Sequence, residues 1–168
     1  MTQLPLVIRA EQPGDCDAIE RLHERAFGPG RFARTAERLR EGAPHIPELS
    51  FTALVGTLLV GSVRLTPVEA GVASALMLGP LTVDPAFEKR GIGSALMTRA
   101  LAAARERPEH AFVLLVGDEP FYSRFGFHPV PEGQLVMPGP VDPARFLALE
   151  LKEGALAATR GAVLPRRY

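Results

Sequence analysis

Residues 83–107, VDPAFEKRGIGSALMTRALAAARER, constrain the fold more than any other stretch of this chain. They read as a strand end, a turn, a short glycine-containing segment and a long helix. Ile92, Leu96, Ala100 and Ala103, with Met97, Leu101 and Ala104, recur at helical spacing and form a broad apolar face. Ser94, Thr98 and Arg105 fall on the other side. A helix of this kind, expected over Gly91–Arg107, lies on a sheet with its N-terminus held rigidly. Pro108 ends it. AFVLLVG, Ala111–Gly117, follows as a nearly all-apolar strand, the composition of one buried on both faces.

The other elements fit around this unit. LPLVIRA (Leu4–Ala10) is a short β-rich run broken at Pro13-Gly14, and Asp15 is placed to cap a helix carrying Ile19, Leu22 and Ala26. Gly28-Pro29 closes that helix, and a second is expected over Arg31–Arg40. SFTALVGTLLVGSVRLT reads as two strands joined at Gly56-Thr57, with Gly61 marking a bulge. ASALMLGPLTV (Ala73–Val83) is a strand interrupted at Gly79-Pro80, where the proline cannot donate to a ladder. DEPFYSRFGF predicts a short helix ended by Gly126. Pro131–Pro143 reads as a loop and Arg145–Leu151 as a strand. The expected order is β-α-α-β-β-β-α-β-α-β-β, with no internal repeat.

With 168 residues, one domain spanning 1–168 is expected. Lys plus Arg and Asp plus Glu each number 19, and zero formal charge argues against a dedicated nucleic-acid binder. Cys16 is the single cysteine, which excludes an internal disulfide and suits a reducing compartment. No signal peptide and no spanning apolar run is read, so the expected location is the cytoplasm, with no membrane partner.

The glycine stretch has a chemical reading. A helix N-terminus presents backbone N–H groups without partners, and these attract anions with ~0.3–2 kcal/mol per charge. Gly91 and Gly93 remove side chains where a ligand must approach, and Lys89 and Arg90 add positive charge. A nucleotide P-loop needs Gly-Lys-Ser/Thr, but Ser94 and Ala95 follow Gly93. A dinucleotide fingerprint needs a third glycine where Leu96 stands. A plain helix start with solvated Lys89 and Arg90 explains the hexapeptide about equally well.

Context favours a ligand. VDPAFEKRGIGSALM resembles the acyl-CoA-binding signature of the GNAT N-acetyltransferases, and FYSRFGF matches that family's second aromatic motif at Phe121, Tyr122, Gly126 and Phe127. With the tail FLALEL and GALAATRGAVLP, the resemblance covers most of the chain and is to the bacterial YhbS-like subgroup. It implies an α/β (α+β) fold, a mixed, mostly antiparallel sheet flanked by helices. It implies transfer of an acetyl group from acetyl-CoA to a primary amine by direct attack in a ternary complex, with no metal. The backbone of Glu88, Lys89, Arg90, Gly91, Ile92, Gly93 and Ser94 would wrap the pyrophosphate, and that of Leu81, Thr82 and Val83 would pair with the pantetheine arm. Glu88 departs from the family's usual Gln or Arg.

The resemblance makes Tyr122 the general acid for the leaving thiolate. Ordinary pKa values of ~10 and ~8.5 make that transfer uphill by only ~2 kcal/mol. The competing role for Tyr122 is packing among Phe121, Phe125 and Phe127. Many family members carry a base on the strand before the phosphate loop, but Leu78–Val83 holds no carboxylate. Asp118 and Glu119 are weak candidates, and a solvated helix N-terminus is the commoner role for each. Otherwise a water chain and an amine of lowered pKa must suffice. The four histidines show no metal-ligand spacing, and Cys16 reads as a small, partly buried residue. Arg31, Arg34, Arg38 and Arg40 read as a solvated helix face that could gate an acidic substrate. A small-molecule or peptide amine is the expected acceptor, and a homodimer is an assembly the resemblance allows. The alternative from another class is a non-catalytic acyl-CoA-binding sensor.

Overall fold

The computed structural model describes residues 5–27, 39–40 and 44–166. Among these, nine strands are β1 Leu6–Ala10, β2 Phe51–Val55, β3 Leu58–Ala70, β4 Ala73–Val83, β5 Phe112–Val116, β6 His128–Pro129, β7 Leu135–Val136, β8 Phe146–Glu150 and β9 Gly161–Pro165. The helices are α1 Cys16–Phe27, α2 Ile92–Arg105 and the one-turn α3 Glu119–Tyr122. The sheet runs β1-β2-β3-β4-β5-β8-β6, and β9 joins both β3 and β7. Within that path only β4 and β5 are parallel. The expected mixed, mostly antiparallel sheet with flanking helices is what the chain forms.

Strand periodicity sorts the core into two faces. Leu76 and Leu78 of β4 and Val113 and Leu115 of β5 pack with Ile92, Leu96, Met97 and Leu101 of α2. Ala75, Met77, Phe112 and Leu114, one residue out of phase, join Leu39, Val130, Phe146 and Val163 on the other face. The all-apolar β5 is therefore covered on both sides. Leu96 and Met97 are wholly buried, each contributing about 1.5–3 kcal/mol. Gly61 permits this docking. A Cβ there would stand 3.0 Å from Leu96 Cδ1 and 3.1 Å from Ile92 Cγ2. The β2–β3 register slips by one residue beside it, between Ala53↔Gly61 and Leu54↔Leu59.

A second irregularity opens the sheet. Val63 faces Leu81 and Leu65 faces Leu78, so Gly79 and Pro80 stand opposite Arg64 alone. This is the bulge the proline predicts. The β4–β5 ladder holds at Leu76↔Val113 and Met77↔Leu114 only. Beyond that point the two parallel strands diverge.

Several details differ from expectation. Asp15 does not cap the helix from outside. It ends a 3₁₀ turn, Pro13–Asp15, where its carboxylate accepts from the Gln12 N–H at 2.8 Å and pairs with Arg9 at 2.7 Å. That pairing with Arg9 holds it below the usual carboxylate range. Cys16 is exposed. The loop over 131–143 contains β7, and β9 was not anticipated in GAVLP. Gly28-Pro29 and most of the helix expected over Arg31–Arg40 lie outside the described residues. Among them no helix is long and apolar enough to cross a membrane.

Candidate active site

The divergence of β4 and β5 creates a cavity of about 640 Å³. Leu78–Leu81 form one wall and Leu115–Asp118 the other. Phe121 and Tyr122 of α3 line it, as do Pro140, Val141, Asp142 and Arg145 from the segment before β8, and Phe27 and Arg40 from the N-terminal part.

The second sequence motif is a device for placing Tyr122. After Gly117 the chain turns into α3, with the Tyr122 N–H bonded to the Asp118 carbonyl at 3.1 Å. The Tyr122 ring meets Phe121 edge-on at 4.9 Å and Phe127 at 6.1 Å between centroids. Phe127 is fully buried, so the cluster is anchored in the core. Gly126, at φ 98, ends the turn in a left-handed conformation suited to glycine. Packing and cavity lining coexist at Tyr122. Burial pushes its phenol up to about 12, while the nearby Arg145 cation opposes that rise and Asp118 adds to it.

The glycine motif forms a lip beside the cavity. Lys89 and Gly91 both adopt left-handed backbone, at φ 63 and φ 79, and Gly91 caps α2. Among the described residues no carbonyl or side chain accepts from the N–H groups of Lys89 or Gly91, while the turn at Glu88–Lys89 directs the Arg90 N–H back toward the preceding residues. The first-turn N–H groups of Ile92, Gly93 and Ser94 add to this array. Glu88, Lys89, Arg90 and Gly91 are exposed, whereas the Ile92 side chain is buried and offers only its backbone. Arg90 stacks over Phe87 at 5.2 Å. Such a concavity of N–H groups at a helix start suits an anion.

The structure brings only some of the expected residues to the cavity. Leu81 lines it. Val83 lies toward Gly93, its Cγ2 3.8 Å from where a Cβ on Gly93 would stand. Thr82 points the opposite way, with its Oγ1 buried and unpartnered among the described residues. Of the two carboxylate candidates, Asp118 lines the cavity and Glu119 does not. Both are exposed. Among the described residues no cluster of His, Cys, Asp and Glu is arranged to hold a metal.

Three residues, Gly117, Arg124 and Arg145, gain roles that reading the sequence did not assign, and Arg40, expected on a solvated helix face that could gate an acidic substrate, stands at the cavity. Gly117 lies beneath the Tyr122 ring. Arg124 donates to the Ser94 hydroxyl at 2.8 Å and stacks over Phe121 and Phe125, which ties α3 to the start of α2. Arg124 stands inside the second motif and Gly117 just before it, but nothing in their spacing shows what they touch. Arg40 is not on a solvated face. It borders the cavity, and a Cβ on Gly79 would stand 2.7 Å from its guanidinium. Arg145 borders the cavity from the far side.

Comparison with known proteins places these features. The family model for the acetyltransferase (GNAT) domain matches residues 48–129, from the turn before β2 to β6. An uncharacterized N-acetyltransferase, YhbS of Escherichia coli strain K12, is 29% identical over 160 residues, 94% of this chain and 95% of its own. The crystal structure of E. coli YhbS in complex with CoA superposes with a TM-score of 0.80 at 27% identity, covering 99% of this chain and 92% of that one. A GNAT family acetyltransferase from Brucella melitensis, in complex with acetyl-CoA, matches with a TM-score of 0.65 at 28% identity, over 89% and 90% of the two chains.

Proposed function

We propose that the chain, which resembles the GNAT N-acetyltransferases in family model, sequence and fold, moves an acetyl group from acetyl-CoA to a primary amine by direct attack in a ternary complex. The observation that carries this reading is the divergence of β4 from β5, which ends at Tyr122 and has the N–H lip of residues 88–94 beside it. The residues present fit coenzyme A. The open edge of β4 offers backbone groups to the pantetheine amides at Leu81, Thr82 and Val83, and the lip offers N–H groups to the pyrophosphate. When bound, acetyl-CoA supplies the thioester acyl group.

The protein's own residues would act as follows. The lip and the β4 edge orient the thioester, and one N–H of Leu81–Val83 polarises its carbonyl. Apolar side chains of Leu78, Leu81, Leu115 and Phe121 keep water scarce. The amine forms the new C–N bond as the C–S bond breaks. Its surplus proton passes to water near Asp118, since β4 offers no carboxylate. Tyr122 holds a proton for the departing sulfur. At about 12 its phenol lies ~3.5 units above an ordinary thiol, which makes complete transfer to a solvated thiolate uphill by about 5 kcal/mol. Tyr122 therefore acts chiefly by hydrogen-bond donation while the sulfur is charged and desolvated. Arg124, held at Ser94, supplies a cation beside the lip.

In this reading the 168 residues work as one domain in the cytoplasm, on a small-molecule or peptide amine, with neither nucleic acid nor a membrane as partner. A homodimer is the assembly to look for in solution. Calorimetric titration with acetyl-CoA and CoA, followed by thiol release with added amines, tests the proposal. Micromolar binding and amine-dependent thiol release support it. Absence of binding overturns it, and binding without release under any amine leaves a sensor instead of an enzyme.

A further inference from the structure

The acceptor end of the cavity carries a charge pattern that the transfer chemistry does not use. Phe27, Arg40, Pro140, Val141, Asp142 and Arg145 line the cavity but have no part in the lip or the β4 edge. Two guanidinium groups approach from different segments. Arg40 stands at Gly79 on the β4 wall, and Arg145 leads into β8.

Arg145 is fixed at the backbone, and its exposed side chain makes no hydrogen bond to a partner among the described residues. Its N–H donates to the Asp142 carbonyl and its own carbonyl accepts from the Gly117 N–H, both at 2.9 Å. Residue 145 is thereby tied to the glycine beneath the Tyr122 ring. Among the described residues its guanidinium makes no ion pair. The neighbouring Asp142 is already engaged, accepting from the Ala144 N–H at 3.0 Å. Arg145 lines the same cavity as Tyr122, and its carbonyl's bond to Gly117 holds it beside that ring. An arginine fork presents parallel donors in the geometry of a carboxylate. The same lining holds the Asp118 and Asp142 carboxylates, so the discrimination is positional, set by where Arg145 stands and not by net charge.

We propose that the acceptor is a small amine bearing a carboxylate, an amino acid in the broad chemical sense, and that Arg145 binds that carboxylate while the amine faces the thioester beside Tyr122. This rests on the acetyl-transfer reading and adds the substrate class to it. Arg145 is then the residue that sets specificity.

The test uses matched pairs of amines: amino acids with the amine at the α or ω position, each beside its neutral carboxamide, together with spermidine. Thiol release gives kcat and KM for each with acetyl-CoA at saturation. The expected result is about a 10- to 100-fold higher kcat/KM for the acid in at least one pair, with spermidine poorest. Arg145→Gln should remove that preference through KM, and Arg145→Lys should restore part of it. CoA affinity, titrated on the same samples, should change by less than about threefold. The inference is overturned if carboxamides match or exceed acids, if the preference survives in Arg145→Gln, or if no acid is acetylated while CoA binds normally. Failure of the unaltered protein to bind CoA would instead remove the acetyl-transfer reading, and this inference with it.

Discussion

The Tyr122 ring lies directly against the backbone of Gly117: a Cβ built on residue 117 would stand 2.4 Å from Tyr122 Cε2 and 3.0 Å from Cδ2. Both contacts are far inside van der Waals range. Gly117 is absent from the residues with positive φ, so glycine is required here for space and not for backbone conformation. The tyrosine can face the cavity because Gly117, the residue that follows β5, has no side chain.

Gly117→Ala should therefore push the Tyr122 ring out of place without removing it. We expect kcat to fall about 10- to 100-fold, CoA affinity to change little, and stability to drop by about 1–3 kcal/mol. Steady-state kinetics beside a urea melt of the same variant separates these effects. Normal turnover would show that the ring position is not critical.

Tyr122→Phe should slow turnover markedly without abolishing it, since the hydroxyl assists a thiolate that can depart unaided. With the phenol at about 12, Tyr122 stays protonated throughout the neutral range. A pH–kcat profile should show no descending limb from this residue below about pH 10. For stability the sign is fixed: a folded-state value above the unfolded ~10 means the native state retains a proton that the unfolded state gives up. The stability difference between the unaltered protein and Tyr122→Phe should thus shift against the unaltered protein as pH rises from about 10 toward 12. Thermal melts across that window check it.

Arg124 and Glu88 should act in opposite directions on CoA. Arg124→Gln removes the cation held at Ser94 and should weaken CoA binding about fivefold, or ~1 kcal/mol. Glu88→Gln should tighten it by about 2- to 5-fold. Both effects should shrink as salt rises. Calorimetry at two ionic strengths decides, and equal effects at low and high salt would count against an electrostatic origin.

Glu11 should govern acid stability. Its side chain is 3% exposed and meets Arg64 at 2.8 Å as well as His45. Desolvation favours its protonated form, yet the hydrogen bonds from His45 and Arg64 outweigh it and hold the carboxyl below its ordinary 4.5. Between the unfolded and folded values the unfolded state binds more protons, so stability falls as pH drops below about 4.5. Arg64→Met leaves the buried carboxylate with His45 alone and should cost about 3 kcal/mol near neutrality, read as a lower urea midpoint. Glu11→Gln should flatten the acid limb.

Where the sequence was legible, a local physical rule forced the outcome. Ala111–Gly117 has to be covered on both faces because it has no polar side, and Phe112 and Leu114 do face away from Val113 and Leu115. Pro80 cannot donate, so the bulge opposite Arg64 follows. The two motifs of the site were visible because each is a contiguous run. What escaped depends on closure between distant segments. Strand β7 has two residues and β9 is bounded by Gly161 and Pro165, and they exist through their pairing with each other and, for β9, with β3. Arg145 reaches the cavity only because β8 pairs with β5, and Arg124 finds Ser94 only when α3 packs on α2. Asp15 misled because an aspartate before a helix serves equally well inside the preceding turn.

The parted strands have a further consequence. From Leu78 to Val83 the side of β4 turned toward β5 carries peptide groups that no neighbouring strand satisfies among the described residues. Such a margin is ordinarily where one chain recruits another and fibrils begin. Pro80 blunts it by leaving one donor out, and a bound pantetheine arm would occupy the remainder. Supply of the ligand would then guard the protein against self-association as well as feed its chemistry, and a starved pool should aggregate sooner on warming than a loaded one.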